Sequence, residues 1–137
     1  MSTKITVSVV VNATLEKAWT VFTQPAFIVQ WNAASDDWHC PKAENNLEVG
    51  STFSYTMAAR DGSFSFDFGG EYTAVETLSK IAYVLGDSRE VEITFKQVEN
   101  GVEVIEIFDP ENQNPLEMQQ MGWQAILNRY KAVAESN

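Results

Sequence analysis

The chain has 137 residues, 45% of them hydrophobic and 20% charged, which fits one folded domain and excludes a disordered polar chain. Nine basic residues stand against nineteen acidic ones, a net charge of −10, so nucleic acid and anionic membrane surfaces are repelled rather than held. The single cysteine, Cys40, cannot close an internal disulfide, and no apolar run resembles a signal peptide or a membrane span, so a cytoplasmic location is the expectation.

Lys4 to Val11 alternates through Ile5, Val7 and Val9 and then turns fully apolar, the pattern of a strand partly buried on both faces. Asn12-Ala13-Thr14 is a turn, with Thr14 placed to cap a helix over Leu15–Thr23 whose apolar positions are Leu15, Ala18, Trp19 and Phe22. Pro25 opens a second short helix carrying Phe27, Ile28 and Trp31, closed by Asn32. Residues 33–49 are rich in Asp, Asn, Pro and Gly and are expected to form a loop.

From Gly50 the period becomes two. Phe53, Tyr55 and Met57 share one strand face, and Arg60-Asp61-Gly62 is a turn. Phe64, Phe66 and Phe68 share a face of the next strand, Gly69-Gly70 marks a bulge or bend, and the strand resumes through Tyr72 and Val75. Ile81, Tyr83 and Leu85 alternate before a turn at Gly86-Asp87. Val91, Ile93 and Phe95 alternate opposite Glu90, Glu92 and Lys96, and Asn100-Gly101 is a hairpin turn into a last strand over Val102–Phe108. Short turns between successive strands make an antiparallel meander. Asn114-Pro115 with Glu117 reads as a capped helix start, and Trp123, Ile126, Leu127, Tyr130 and Ala134 form one apolar stripe on a helix running to about Glu135. At roughly 1.5 Å per residue that helix spans about 30 Å, enough to cross the whole sheet.

Several local sequences carry a family resemblance: Leu15-Glu16-Lys17-Ala18-Trp19, Pro25 through Trp31-Asn32, Leu47-Glu48-Val49-Gly50, Asp61-Gly62, Gly70-Glu71-Tyr72 and Gly122-Trp123. In this order they resemble the START-like (SRPBCC, helix-grip) superfamily, which includes the birch pollen allergen fold. More closely they resemble the family named after the activator of the ninety-kilodalton heat-shock protein's ATPase, which also holds polyketide cyclases and calicheamicin-resistance-like proteins. Glu48 and Ser51 stand where that family often has Arg and a second Gly, so no anion-binding role is carried over to them. The resemblance implies an α+β helix-grip fold over residues 1–137 as a single domain. A curved antiparallel sheet of six or seven strands would wrap around the long C-terminal helix, with two short helices after the first strand and a cavity between sheet and helix.

Three sets of residues are candidates for chemistry. Phe53, Tyr55, Phe66, Phe68, Tyr72, Tyr83 and Trp123 form an aromatic set suited either to core packing or to a pocket with a few polar handles. Asp36-Asp37-Trp38-His39-Cys40 gathers the only His and the only Cys beside two carboxylates, but neighbours in a loop rarely converge on one ion and no second His or Cys exists. The preferred reading makes that segment a loop over the pocket mouth, with Trp31 and Trp38 closing as a lid on the ligand. Asp67, Glu71, Glu92 and Glu106 are the carboxylates that acid–base chemistry would need, and solvated surface is the expectation for each. No catalytic residue, metal or cofactor is assigned.

The leading expectation is binding of a hydrophobic or aromatic small molecule, lipid or polyketide-like, by a monomer or weak dimer, without membrane insertion. The alternatives are a polyketide cyclase or dehydratase-like enzyme and a protein-interaction module whose partner is a chaperone.

Overall fold

The computed structural model describes residues 4–136. Seven strands form one antiparallel sheet: β1 (Ile5–Val11), β2 (Trp38–Asn45), β3 (Thr52–Ala59), β4 (Ser65–Glu76), β5 (Lys80–Leu85), β6 (Glu90–Val98) and β7 (Gly101–Phe108). Their order across the sheet is β1-β7-β6-β5-β4-β3-β2. β3 to β7 are therefore a meander, β1 pairs with β7, and β2 pairs with β3. Helices α1 (Leu15–Thr23) and α2 (Pro25–Trp31) follow β1, and α3 (Leu116–Ser136) closes the chain. This is the expected α+β helix-grip arrangement.

Local chemistry explains the boundaries. The Thr14 hydroxyl accepts from the Lys17 amide at 3.1 Å and caps α1, while Pro25 sits in the first turn of α2, where its missing N–H is no loss. Gly62 takes φ +79° in the β3–β4 turn, where the Asp61 carboxylate accepts from the Ser63 amide at 2.8 Å. In the β5–β6 turn it is Ser88, not Gly86, that adopts a left-handed φ of 76°. The start of α3 is held differently from the expected Asn114–Glu117 capping box. The buried Gln119 side chain donates to the Glu111 and Asn114 carbonyls at 3.1 and 2.8 Å, and it accepts from the Glu111 amide at 2.9 Å.

One strand was not expected. The 33–49 segment contains β2, paired with β3 through a register shift between His39 and Lys42. Cys40 is the residue of β2 that is fully buried, and Pro41 follows it, so β2 lacks the apolar alternation that identifies the other strands. The glycine pair also behaves differently from the expected bulge. β4 runs straight through Gly69-Gly70, and its register shift falls beyond, between Tyr72 and Ala74.

Helices pack against both edge strands. α2 packs on β2. Along β1, the Gln124 side chain donates to the Ser8 carbonyl at 3.0 Å and accepts from the Ser8 amide at 3.4 Å, Gln120 donates to the Thr6 carbonyl, and Glu135 accepts from the Asn12 amide at 2.8 Å. α3 thus occupies hydrogen-bonding groups that an exposed edge would offer to another chain.

Gly70 stands opposite Phe53 in the β3–β4 ladder. A Cβ there would fall inside the contact distance of the Val84 carbonyl oxygen on β5. Gly70→Ala is expected to lower stability by about 1–3 kcal/mol, read as a shift of the urea midpoint, because the paired backbone must move apart.

Candidate functional site

The concave face of the sheet and the helices enclose a partly open cavity of about 210 Å³. Tyr55 and Met57 enter from β3, Phe66, Phe68 and Tyr72 from β4, Ile81 and Tyr83 from β5, and Glu106 from β7. Phe22 and Thr23 of α1, Trp31 of α2 with Asn32 at its end, Leu47, and Trp123 with Ile126 of α3 complete the wall. No Lys, Arg or His is among these residues.

Strand register explains the aromatic wall. Tyr55 pairs with Phe68, Met57 with Phe66 and Tyr72 with Tyr83, so one pleat face presents these side chains together. Phe53 belongs to the same face but lies behind the wall. It stands opposite the side-chain-free Gly70, and its ring lies 4.7 Å from Tyr83, 4.9 Å from Tyr55 and 5.3 Å from Tyr72 between centroids. Trp123 stacks on the buried Phe108 with centroids 3.8 Å apart and an angle of 13°, which fixes the helical side.

Two polar groups of sites line this space. At one, the Tyr55 and Tyr72 phenols lie near Asn45, whose amide donates to the Thr23 carbonyl at 2.8 Å. Burial raises both phenols above their ordinary value. At the other, Glu106 lies 8% exposed among apolar neighbours. Burial lifts its carboxyl from 4.5 to about 8, with no ion pair to oppose the shift. Burial, and then the nearby Glu106 charge, push the Tyr83 phenol well above 10 and raise Tyr130 as well.

Of the aromatic candidates, Trp31, Tyr55, Phe66, Phe68, Tyr72, Tyr83 and Trp123 come together on the cavity wall, Phe66 at 44% exposed. Phe53 supports the wall without facing the cavity. Trp31 is not a lid: it is buried, its indole N–H donates to the Val21 carbonyl at 2.9 Å, and its ring packs on Phe22 and Tyr130. Trp38 is not a lid either. It begins β2 and packs against the exposed Phe64 and the wall residue Phe66, outside the residues that line the cavity. His39 and Cys40 lie on this strand rather than in a loop, and Cys40 is buried with its thiol on the Lys42 carbonyl. Asp67 is exposed and accepts from Thr56 at 2.8 Å, and Glu71 is exposed. Glu106 overturns the expectation of a solvated carboxylate. Val102, Val104 and Phe108 share its strand face, all fully buried, so period-two alternation was the signal that pointed it inward.

The raised carboxyl has a thermodynamic consequence. The folded state holds the Glu106 proton up to about pH 8, whereas the unfolded chain releases it near 4.5. The stabilisation is whole below pH 4.5, falls between 4.5 and 8 and is gone above 8. Relative to Glu106→Gln, the wild type is expected to lose up to roughly 1.4 kcal/mol per pH unit across that window, measured by denaturant unfolding at several pH values.

Among the described residues, no helix is long and apolar enough to cross a membrane. Residues 12–135 match the family model described as Activator of Hsp90 ATPase homolog 1-like protein. The solution structure of the AHSA1-like protein from Aeromonas hydrophila is 39% identical, with a TM-score of 0.92 over 98% of this chain and 93% of that one. Chr148 from Cytophaga hutchinsonii is 51% identical, with a TM-score of 0.84 over 98% of this chain and 93% of that one. At 22% identity, CV1439 from Chromobacterium violaceum shares the fold, with a TM-score of 0.86 over 98% of both chains. No curated protein matches the sequence. With the match running from the end of β1 to the last turn of α3, the chain belongs to the activator of Hsp90 ATPase homolog 1-like family.

Proposed function

We propose that this chain binds a compact hydrophobic or aromatic small molecule in the cavity between the sheet and α3. The observation that carries the reading is the aromatic cavity of about 210 Å³, whose wall has few polar groups and no cationic one. An apolar cavity of about 150 Å³ holds one benzene ring, so this space suits one or two fused rings and is too small for a whole lipid. The apolar wall supplies transfer energy, and the wall rings Trp31 and Trp123 are already fixed by their neighbours, so little side-chain ordering opposes binding.

A bicyclic aromatic probe such as naphthalene is expected to raise the thermal midpoint. A probe at about 100 times its dissociation constant adds about 2.7 kcal/mol of stability. Ile126→Trp, which adds bulk on the helical wall, is expected to abolish that shift while the variant stays folded by circular dichroism. A shift that persists in this variant places binding elsewhere.

Glu106 favours a second reading, acid–base chemistry on a polyketide-like substrate, because a carboxyl with a pKa near neutrality is suited to proton transfer. Its test is exchange of the α-protons of 2-tetralone for deuterium. Acceleration over buffer that disappears in Glu106→Gln supports it, and an unchanged rate removes it.

A further inference from the structure

Glu106 and Tyr83 present polar atoms to the cavity wall from neighbouring parts of the sheet. Among the described residues, neither the Glu106 carboxyl nor the Tyr83 hydroxyl has an intramolecular hydrogen-bond partner or an ion pair. Among the described residues no buried side-chain nitrogen or oxygen is left unpaired, so these oxygens are open to the cavity and available to a ligand. The Tyr130 phenol near them is engaged, donating to the Ala18 carbonyl at 2.6 Å.

The surroundings decide which chemistry completes the pair. In the sheet ladder Glu106 stands beside Val7 of β1 and Ile93 of β6. β5 faces it with Tyr83 and α3 with Tyr130, and the remaining ionisable groups on the wall are the phenols of Tyr55 and Tyr72. Among the described residues no Lys, Arg or His lines the wall to hold a carboxylate, so the acid form prevails at neutral pH and donates an O–H. Tyr83 donates a second O–H into the same cavity. A neutral carboxylic acid beside a tyrosine hydroxyl is an arrangement that holds an oxygen bearing partial negative charge.

We propose that Glu106 and Tyr83 form a two-donor cradle for a single acceptor oxygen, so that the cavity takes a compact cyclic ketone, enone or quinone. The proposal rests on the binding role proposed above and adds to it the chemical class of the ligand. Ring stacking and burial supply affinity, and the cradle selects the carbonyl over a hydrocarbon of the same shape. An anion is excluded by the −10 net charge and the lack of any cation in the wall.

Three probes of matched shape test this: indane, 1-indanone and 1-aminoindane, each titrated into the full chain with tryptophan fluorescence or calorimetry as the readout. At about pH 6.5, 1-indanone is expected to bind about tenfold more tightly than indane. Its affinity is expected to fall about tenfold by pH 9 as Glu106 loses its donor proton, while indane shows no such change. Glu106→Gln, which keeps an N–H donor, should retain the preference and lose the pH dependence. Tyr83→Phe should weaken 1-indanone severalfold more than it changes indane. Equal affinity for indane and 1-indanone with no pH dependence overturns the cradle while leaving the hydrophobic binding role intact. Tighter binding of 1-aminoindane that strengthens towards pH 8 overturns it in favour of a cation site. Binding of none of the three removes the binding role and the cradle with it.

Discussion

Tyr130 sits where the helices meet over the sheet. Its side chain is fully buried, its ring makes edge contacts with Phe22 of α1 and Trp31 of α2, and its hydroxyl donates to the Ala18 carbonyl. Each aromatic pair is worth about 0.5–1.5 kcal/mol and the hydrogen bond about 1 kcal/mol. One side chain thus fixes the C-terminal half of α3 to both short helices. α3 packs against β1, α1 and α2. The space left between its N-terminal half, carrying Trp123 and Ile126, and strands β3 to β5 is the cavity. Without the Tyr130 anchor, neither the distance of the helix from the sheet nor the volume beneath it would be defined.

The wall of that space combines opposed energetic demands. Phe68, Tyr83 and Trp123 are held by ring contacts with Phe53 and Phe108, which makes a stiff apolar surface. Glu106 interrupts it. A carboxyl in such a place lowers stability relative to an apolar residue of similar size, and it does so increasingly as pH rises towards the value at which it ionises. The same apolar burial makes the carboxyl a proton donor under neutral conditions, which an exposed Glu is not. Stability given up at a polar position inside a core is a common signature of a functional site.

Much of this architecture was legible because most strands of the meander alternate and two of its turns carry Asp61-Gly62 and Asn100-Gly101. The stripe of Leu127, Tyr130 and Ala134 on α3 was legible from helical spacing. β2 was not. Its neighbours supply the pairing and its own residues carry almost no apolar periodicity, so tertiary hydrogen bonding overrides a local sequence full of loop formers. Trp38 was misplaced for the same reason, since a lid requires a loop. Glu106 shows a different kind of failure. The parity of Val102, Val104 and Phe108 places it on the inner face, whereas the expectation of a solvated carboxylate rests on the rarity of buried ones alone. Phe53, behind the wall, stands opposite Gly70, a pairing across strands that only the register reveals.

The glutamines of α3 give the helix a second duty. Gln120 and Gln124 occupy backbone groups of Thr6 and Ser8, and they lie in the same turns that carry Trp123. Raising this half of the helix to widen the cavity would release three hydrogen bonds and bare the margin of β1. Guest entry by that route would be coupled to self-association, because an unsheathed strand invites a second copy to dock along it. The rim beside the half-exposed Phe66 avoids that exposure, so passage there is compatible with a chain that stays separate from its copies.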